Sequence, residues 1–400
     1  MAIASGILKT TKYKKQSGLG VPVSGASSKL ARRITSIFKS DRDMFASNEI
    51  VSHHQSTGSA YGLLKADGKI DGLLSSATFS DLFGSILEKD FAAGVAIGSQ
   101  TVTYAGTSNA WTITGTGFLT GTGLKIGDIV RASGGSVTAN NTRNFLITGL
   151  SNTVITFRAL DEVTVTAGSS TTTTVTVAGK KTNAPVTGHT KDYYGVEEYY
   201  SDIAKSELFN DLRVGAIAVG LPATGNATVS IDMVGLSRTL GVSEVLTSPT
   251  VTTTPVMTAV NGFISVNATA LSVATAVSFS IANSAANAGA VIGSNSGVDV
   301  TTGRIMVSGS ITGQFDSTTI QSLYENETNV SVNVCLTGDM TGTADAISFT
   351  FPRVKITGDA PDDGEKAIVR SYPFTAEYYA AGGSGATYDQ TILSIQDTSI

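Results

Sequence analysis

The sequence feature that most constrains the fold is a two-residue alternation between positions 64 and 74. Even-numbered positions carry Leu, Ala, Gly or Ile, while the odd-numbered positions from 65 to 71 carry Lys65, Asp67, Lys69 and Asp71. Successive side chains of a β-strand point to opposite faces, so the pattern predicts a strand with one apolar and one charged face. Such a strand belongs to a sheet that covers a core on one side and meets water on the other.

Composition extends this prediction to the whole chain of 400 residues. Only 15% of the residues are charged, and Thr, Ser, Val and Gly fill long stretches, where β-branched residues favour pleated surfaces. We therefore expect a mainly β protein with one or two short helices. The clearer helix is predicted over residues 78–90, with Ser80 as its N-cap, and a second over residues 317–325.

Changes in composition and residue patterning along the chain indicate three segments. Between residues 96 and 186 charge thins out and short strands recur with closely spaced turns, which predicts a small inserted β domain. We expect residues 1–95 with 187–245 to form one module and residues 246–400 to form a second. A Gly, a basic residue and an Ile precede a predicted helix in both, which indicates a duplicated module of sandwich or barrel type.

Positive charge is concentrated at the N-terminus. Residues 1–43 contain nine Lys or Arg against two Asp, giving +7, so the total of -5 leaves -12 on the remainder. Residues 1–25 are interpreted as an extended arm and residues 40–62 as a long loop. A basic arm can bind nucleic acid or the acidic body of a neighbouring copy, and sparse aromatic residues favour the neighbour. The predicted contacts with other copies are Lys12, Lys14, Lys15, Arg32, Arg33 and Arg42.

Catalytic and metal-binding patterns do not emerge from the sequence. Cys335 is the single cysteine, and the three histidines form neither a zinc-binding motif nor a pair with a nucleophile. An acidic cluster does not match a calcium loop and is interpreted as a solvated turn, at Asp359, Asp362, Asp363 and Glu365. We expect no enzymatic activity, no metal and no cofactor. Since no signal peptide or membrane-spanning stretch is recognised, we also expect a cytoplasmic product.

Several short segments, in the same order along the chain, resemble the tail tube proteins of long-tailed, non-contractile bacteriophages. They are YKKQSGLGVP at 13–22, RR at 32–33, FASNEI at 45–50, DFAAG at 90–94, TGDAP at 357–361, SYPFT at 371–375 and EYY at 377–379. The resemblance covers roughly residues 9–95 and 190–400. The block at 96–186 lies outside it.

The resemblance implies a structural virion protein that forms rings, which stack into a channel for DNA ejection. Its implied partners are other copies of itself, the tape measure, tail terminator and distal tail proteins, and genomic DNA in transit without specific binding or membrane contact. It implies assembly in the host cytoplasm, and an inserted domain on the tube exterior. Two modules per chain favour a trimeric, pseudo-hexameric ring, and one module would need a hexamer. The alternative function is another tail part, such as a tail-tip or receptor-binding protein.

The alternating strand suggests how such a channel would treat DNA. Duplex DNA carries one phosphate charge per roughly 1.7 Å, and a wall dense in Lys and Arg would hold it. A face of balanced charge avoids this attraction. Our hypothesis is that the charged face with Lys65, Asp67, Lys69 and Asp71 lines the channel.

Overall fold

The computed structural model describes residues 3–55, 57–107, 110–120, 123–362 and 365–400. Within these ranges 51% of the residues lie in β-strands and 5% in helices, two of which are short α-helices, which confirms the predicted mainly β class. The first elements are β1 (Lys9–Lys15), β2 (Lys29–Leu30), β3 (Arg33–Ala46), β4 (Ser59–Leu73), α1 (Ser80–Ile86) and β5 (Ala92–Ala93).

The middle of the chain contributes seven strands and a 3₁₀ turn at Thr138–Asn140. The strands are β6 (Ala96–Thr107), β7 (Ala110–Thr114), β8 (Ile129–Ser133), β9 (Phe145–Leu150), β10 (Val154–Ala159), β11 (Gly168–Val177) and β12 (Lys180–Asn183). Four strands then complete the first half: β13 (Tyr194–Tyr200), β14 (Lys205–Pro222), β15 (Thr228–Gly235) and β16 (Ser237–Gly241).

The second half begins with a 3₁₀ turn at Ala259–Asn261. Its first elements are β17 (Gly262–Val266), β18 (Thr269–Ala270), β19 (Ala274–Ala282), β20 (Ala286–Asn287), β21 (Val300–Thr301), β22 (Met306–Gln314) and α2 (Thr319–Glu325). Its last are β23 (Val330–Thr337), β24 (Ala346–Ile356), β25 (Ala360–Pro361), β26 (Val369–Ala376) and β27 (Ser394–Asp397).

Both predicted helices exist, and the first is shorter than expected. Phe79, not Ser80, occupies the N-cap position of α1, and no side chain caps this end. The helix stops before residue 90 because Glu88 adopts a left-handed backbone conformation with φ 55°. Residues 40–46 and 59–62, which fall in the loop expected over residues 40–62, instead belong to β3 and β4 and pair in a long antiparallel hairpin.

The same strand pairings occur twice along the chain. In the first half, antiparallel pairs join β1 to β2 and β13, β4 to β3 and β15, and β14 to β13, β15 and β16. In the second half, antiparallel pairs join β17 to β18 and β23, β22 to β19 and β26, and β24 to β23, β26 and β27. Each of the seven pairings thus has a counterpart in the same chain order. The first set of strands with α1 is called module 1, and the second set with α2 is called module 2.

The two modules share one continuous inner sheet. Its order is β3, β4, β15, β14, β19, β22 and β26, and the end of β24 followed by β25 lies beyond β26. The junction between modules is the pairing of β14 with β19, which runs from Ala216 opposite Ala282 to Pro222 opposite Ala276. Both β14 and β24 also pair with strands of an outer layer near their beginnings.

The main hydrophobic core lies between these layers and around α1. Alternate residues of the inner strands, such as Ile70, Ile231 and Ile281, are fully buried. Phe349 and Phe351 of β24 reach the same core from the outer layer, and their rings contact Phe279 at 5.0 and 5.2 Å between centroids. Burial of large apolar side chains provides the main stabilisation of such a sandwich, at about 25 cal/mol per Å².

Strands β6 to β11 form a separate closed barrel, in the order β10, β7, β6, β11, β8 and β9. The barrel has its own core, which includes the fully buried Phe118, Phe145 and Phe157. Although the barrel is inserted into the sequence of module 1, the strand that leaves it, β12, pairs with β27 of module 2. The insertion is therefore attached to the opposite module.

Candidate functional site

The inner sheet has a polar face that no other part of the described chain covers. On β4, Ala66 and Ile70 are fully buried on the core side. Lys65, Asp67, Lys69 and Asp71 lie on the other side, partly or fully exposed. The structure therefore brings the four predicted residues to one face. Whether that face lines a channel stays a prediction.

Neighbouring strands add charges to this face that the sequence interpretation missed. Lys39 and Asp41 of β3 lie opposite Asp67 and Lys65, and Asp232 of β15 lies opposite Lys69. Asp41 was placed in the loop predicted over residues 40–62, and Lys39 immediately precedes that loop. The alternation of exposed and buried residues in β15 was the signal that would have identified Asp232.

Each of the three lysines on the module 1 part of this face has a carboxylate partner. The ammonium of Lys39 lies 2.5 Å from Asp41, that of Lys65 lies 2.9 Å from Asp43, and that of Lys69 lies 3.3 Å from Asp71. Such pairs at an exposed surface contribute little to stability, typically under about 1 kcal/mol. Their consequence here is electrostatic, because a paired lysine attracts a phosphate less than a free one.

Two aspartates on this face titrate differently. Partial burial is the largest influence that raises the pKa of Asp67. Partial burial also acts on Asp71, but hydrogen bonds from Ser230, Thr35 and Lys69 outweigh it and lower the pKa of that carboxyl. Asp71 is therefore the more firmly ionised of the two.

The module 2 half of the same face has a different chemistry. Its exposed positions carry hydroxyl groups and small side chains, including Ser278, Ser280, Ser308, Ser310 and Thr375, and the exposed Lys355 lies opposite Thr375. These residues surround an open depression of about 580 Å³ that continues into module 1. The alternation in β19, where Val277, Phe279 and Ile281 are buried, is the signal from which this face could have been predicted.

The β3–β4 hairpin presents exposed apolar side chains at its far end. Met44, Phe45 and Tyr61 are 61%, 62% and 69% exposed, and Ile50 in the connection is fully exposed. The guanidinium of Arg42 lies 5.9 Å from the centre of the Tyr61 ring. Exposed apolar residues grouped on a protruding element are typical of a contact surface.

The predicted N-terminal arm is in part a strand of the sandwich. Lys9–Lys15 forms β1 and pairs along its whole length with β13. The ammonium of Lys9 lies 2.6 Å from Glu198, a carboxylate that is almost completely buried. The segment is held because Glu197 and Glu198 of β13 pair with Lys12 and Lys9, which the sequence YYGVEEYY did not reveal.

The basic residues predicted to contact other copies all have partners within the chain. Lys12 is 3% exposed and binds Glu244 and the carbonyl of Leu246, so its ammonium is enclosed in its own subunit. Lys14 donates to the carbonyls of Ser24 and Ala26, at 2.9 and 2.7 Å.

The remaining predicted contact residues are more accessible. Lys15 binds Asp192 at 2.9 Å and Asp90 at 3.0 Å. Arg32 donates to the carbonyl of Thr254 at 2.6 Å, and Arg33 donates to that of Lys9 at 2.5 Å. Arg42, on the hairpin, is exposed and stacks against Tyr61. Their role between copies stays a prediction.

No group of three or more His, Cys, Asp or Glu in the described ranges is arranged to hold a metal ion. His189 lies 3.0 Å from Glu88, which also binds Arg213 and Thr302. In the predicted acidic turn, Asp359 accepts hydrogen bonds from Arg370 and Gln321, while Asp363 lies outside the described residues.

The barrel is fixed to the side of the outer sheet that faces away from the inner sheet. Ser348 donates to the carbonyl of Gly127 at 2.7 Å, and Gln396 exchanges hydrogen bonds with Ile129 at 2.7 and 2.8 Å. The adjacent residues Phe349 and Ile395 point the other way, into the main core. The polar face and the barrel therefore lie on opposite sides of the molecule.

A buried ionic cluster completes this attachment. Lys181 of β12 binds Asp128 at the base of the barrel and lies 2.7 Å from Asp389 of module 2. Gly127 beside it has φ 91°, and a side chain there would meet Thr350. Burial raises the pKa of Asp128 to about 6, against the opposing influence of Lys181.

Comparison with known proteins gives the family. None of the curated proteins compared with the chain matches it. No helix in the described ranges is long and apolar enough to cross a membrane. A family model described as "Phage tail tube protein" matches residues 7–376, which include module 1, the inserted barrel and module 2 as far as β26. The chain is a structural protein of the bacteriophage tail and belongs to the phage tail tube protein family.

Proposed function

We propose that three copies of the chain close into a ring and that the rings stack into a tube through which DNA leaves the virion. The family implies self-assembly into a tube together with other tail proteins. The number of copies follows from the inner sheet, which offers eight strand positions when the end of β24 and β25 count as one. Three such sheets give a barrel of about 24 strands, and barrels of 16–18 strands already enclose water.

The junction of β14 with β19 is the observation that supports ring closure. In the duplicated scheme, β3 is the counterpart of β19, and the segment after Ile356 is the counterpart of the end of β14. Within the described residues, neither β3 nor residues 357–361 has a strand on its outer side. An unpaired edge is a template for another chain. The β3 edge of one copy would therefore pair with residues 357–361 of the next, repeating the junction inside the chain.

The polar face of the inner sheet would then face the channel. Module 1 contributes Lys39, Lys65 and Lys69 against four aspartates, Asp41, Asp67, Asp71 and Asp232. Each of these lysines has a carboxylate partner, and module 2 contributes hydroxyl groups together with the exposed Lys355. Such a wall lets a phosphate backbone pass because it offers few free cations to hold it. The barrel, on the opposite side, would lie on the tube exterior.

The β3–β4 hairpin is the element best placed to connect stacked rings. Met44, Phe45 and Tyr61 expose apolar surface that the subunit itself does not cover. Arg42 on the same hairpin adds a positive charge that can meet the acidic body of another copy. Proteins at the two ends of the tail would bind the same stacking surfaces.

Electron microscopy of the purified protein tests ring and tube formation, with Ile34→Pro as the edge variant. Ile34 sits at the bulge where β3 leaves its register with β4, so proline there removes no pairing with β4. We expect hollow tubes with three-fold symmetry from the wild-type chain and soluble, folded subunits from the variant.

Ile34→Ala is the matched control, because it removes the same exposed side chain and keeps the backbone donor. It should assemble normally. A wild-type chain that stays monomeric at high concentration, or tubes from Ile34→Pro with the wild-type diameter, would contradict the proposed ring.

A further inference from the structure

The two helices of the duplicated modules differ in what covers them. Six of the seven residues of α1 are buried, and the ring of Phe83 lies 5.7 Å from that of Phe349 in β24. Phe349 of module 2 thus contacts the helix of module 1. None of the residues of α2 is buried, although α2 follows β22 as α1 follows β4.

Beside α2 lies an open cleft of about 280 Å³. Leu271, Ile320 and Leu323 line it together with Ile311 and Tyr372 from the inner sheet. A cleft of this size accommodates one or two large side chains. The apolar lining and the absence of a covering sheet in the described chain indicate a surface that is incomplete in the isolated subunit.

We infer that α2 and its cleft form a docking surface for a second copy of the chain, whose β14 and β16 cover them. This inference rests on the proposed ring, because the operation that places β3 beside residues 357–361 repeats the internal arrangement of the modules. Inside the chain, α1 contacts Phe349 of β24. Asp397 of the neighbouring β27 binds Ser76 and the amide of Ala77 just before the helix. The counterparts of β24 and β27 in the next copy are β14 and β16.

The outer side of β14 and β16 carries the apolar and charged side chains that a surface covering α2 and its cleft would need. Leu240 at the end of β16 is 67% exposed, and Val242 just after it is 74% exposed. Lys205, at the start of β14, is also exposed. Opposite them, the C-terminal end of α2 carries Glu325 and exposes Glu327 after it. Apolar side chains would enter the cleft while the charges pair beside it, a combination that fixes orientation as well as affinity.

Disulfide trapping in assembled tubes tests this contact. We would combine Leu240→Cys with Tyr324→Cys, since both side chains are exposed in the subunit. Native Cys335 gives little background, because burial raises its pKa to about 12 and encloses the thiol. Mild oxidation of tubes should yield covalent dimers and trimers on non-reducing gels, with the trimer as the largest closed product.

The matched control combines Tyr324→Cys with Val163→Cys, which is 59% exposed on the barrel and distant from the inferred contact. It should remain monomeric on the same gel. Tubes of the Leu240 and Tyr324 pair that yield no cross-linked species would overturn the inference while leaving the proposed ring intact. A wild-type chain that forms no tubes would instead overturn the proposed function.

Hydrogen exchange of the wild-type chain gives a second measurement that needs no substitution. Amides of residues 319–326 should exchange at least tenfold more slowly in tubes than in free subunits, because a covering sheet protects an exposed helix. Amides of α1 serve as the internal control, since α1 is already covered and should change little. Equal exchange of the α2 amides in both states would overturn the inference.

Discussion

Modules 1 and 2 share seven strand pairings but differ in the burial of their helices and in the chemistry of their exposed faces. Module 1 has a buried helix and a polar face of paired charges, whereas module 2 has an exposed helix and a face of hydroxyl groups with Lys355. The connection after the helix spans the entire barrel in module 1 and four residues in module 2. The difference shows that a chain with two modules contains one junction between modules. The surfaces that correspond to this junction at the other ends of the two modules stay unpaired.

In a closed ring, these unpaired surfaces would form the contacts between copies. A single-module chain would expose the same surface at every junction, while the duplicated chain exposes it at every second one. The residues of the internal junction can therefore remain permanently apolar. Residues at the contact between copies would be exposed to water before assembly. Polar residues suit this position, and α2 carries Ser322 and Glu325 where α1 has Phe83 and Ile86.

The largest expected effect comes from breaking the ionic cluster that attaches the insertion of module 1 to module 2. Lys181→Met leaves Asp128 and Asp389 without their cation in a buried site, and loss of one partner of a buried pair costs about 3–5 kcal/mol. Calorimetry should show a lower melting temperature. Lys180→Met, at the adjacent exposed position, is the control and should change the free energy of unfolding by under about 0.5 kcal/mol.

The stability of the Lys181→Met variant should also depend on pH in a predictable direction. An Asp whose folded pKa lies above its unfolded value loses stability as the pH rises through that interval, because the carboxylate must then be buried as a charge. For Asp128 the interval runs from its ordinary value of 3.8 to about 6. Removal of Lys181 raises the folded pKa further, so the variant should be closer to wild type at pH 5 than at pH 8. An equal difference at both values would contradict this account of the cluster.

An identical substitution in each helix tests the comparison of the modules directly. Leu82→Ala in α1 removes a completely buried side chain and should cost about 2–5 kcal/mol in the isolated subunit. Leu323→Ala in α2 removes a half-buried one and should cost under about 1.5 kcal/mol. Denaturant unfolding of monomers measures both. Equal losses would show that α2 is as well covered as α1 and would remove the basis of the inferred contact.

The sequence predicts strands correctly where the alternation of side chains is regular. It fails where contacts between residues distant in the sequence determine the structure. The charged face of β4 followed from the positions of Lys65 and Asp71 alone, because period two is a local property. The hairpin at residues 40–62 was mistaken for a loop, since its polar strands pair with each other beyond the core. A strand that is exposed on both faces carries no alternation for a sequence pattern to detect.

The candidate site shows the same division. Lys12 and Lys14 looked like free charges because the sequence does not show which buried carboxylate or carbonyl will face them. The attachment of the barrel to module 2 depends on contacts such as Gln396 with Ile129, which join residues far apart along the chain. Burial and pairing of this kind depend on topology, which the composition of the N-terminal segment could not supply.

The smallest expected effect on stability concerns the two halves of the polar face. Asp71→Lys in module 1 and Ser308→Lys in module 2 replace accessible side chains, so each should change the free energy of unfolding by about 0.5 kcal/mol or less. Their effect on DNA should be larger. Asp71→Lys adds a cation and also releases Lys69 from its partner, whereas Ser308→Lys adds a cation alone.

Virions carrying these variants should eject DNA more slowly than wild type, and Asp71→Lys should be slower than Ser308→Lys. The delay should be greater at 50 mM than at 200 mM salt, because phosphate binding weakens steeply as counterions accumulate. Asp71→Asn removes the negative charge without adding a cation and serves as the control, with an intermediate rate. If both lysine variants eject at the wild-type rate at both salt concentrations, the polar face does not meet the DNA. The comparison of its two halves would then concern the outer surface of the tube instead of its channel.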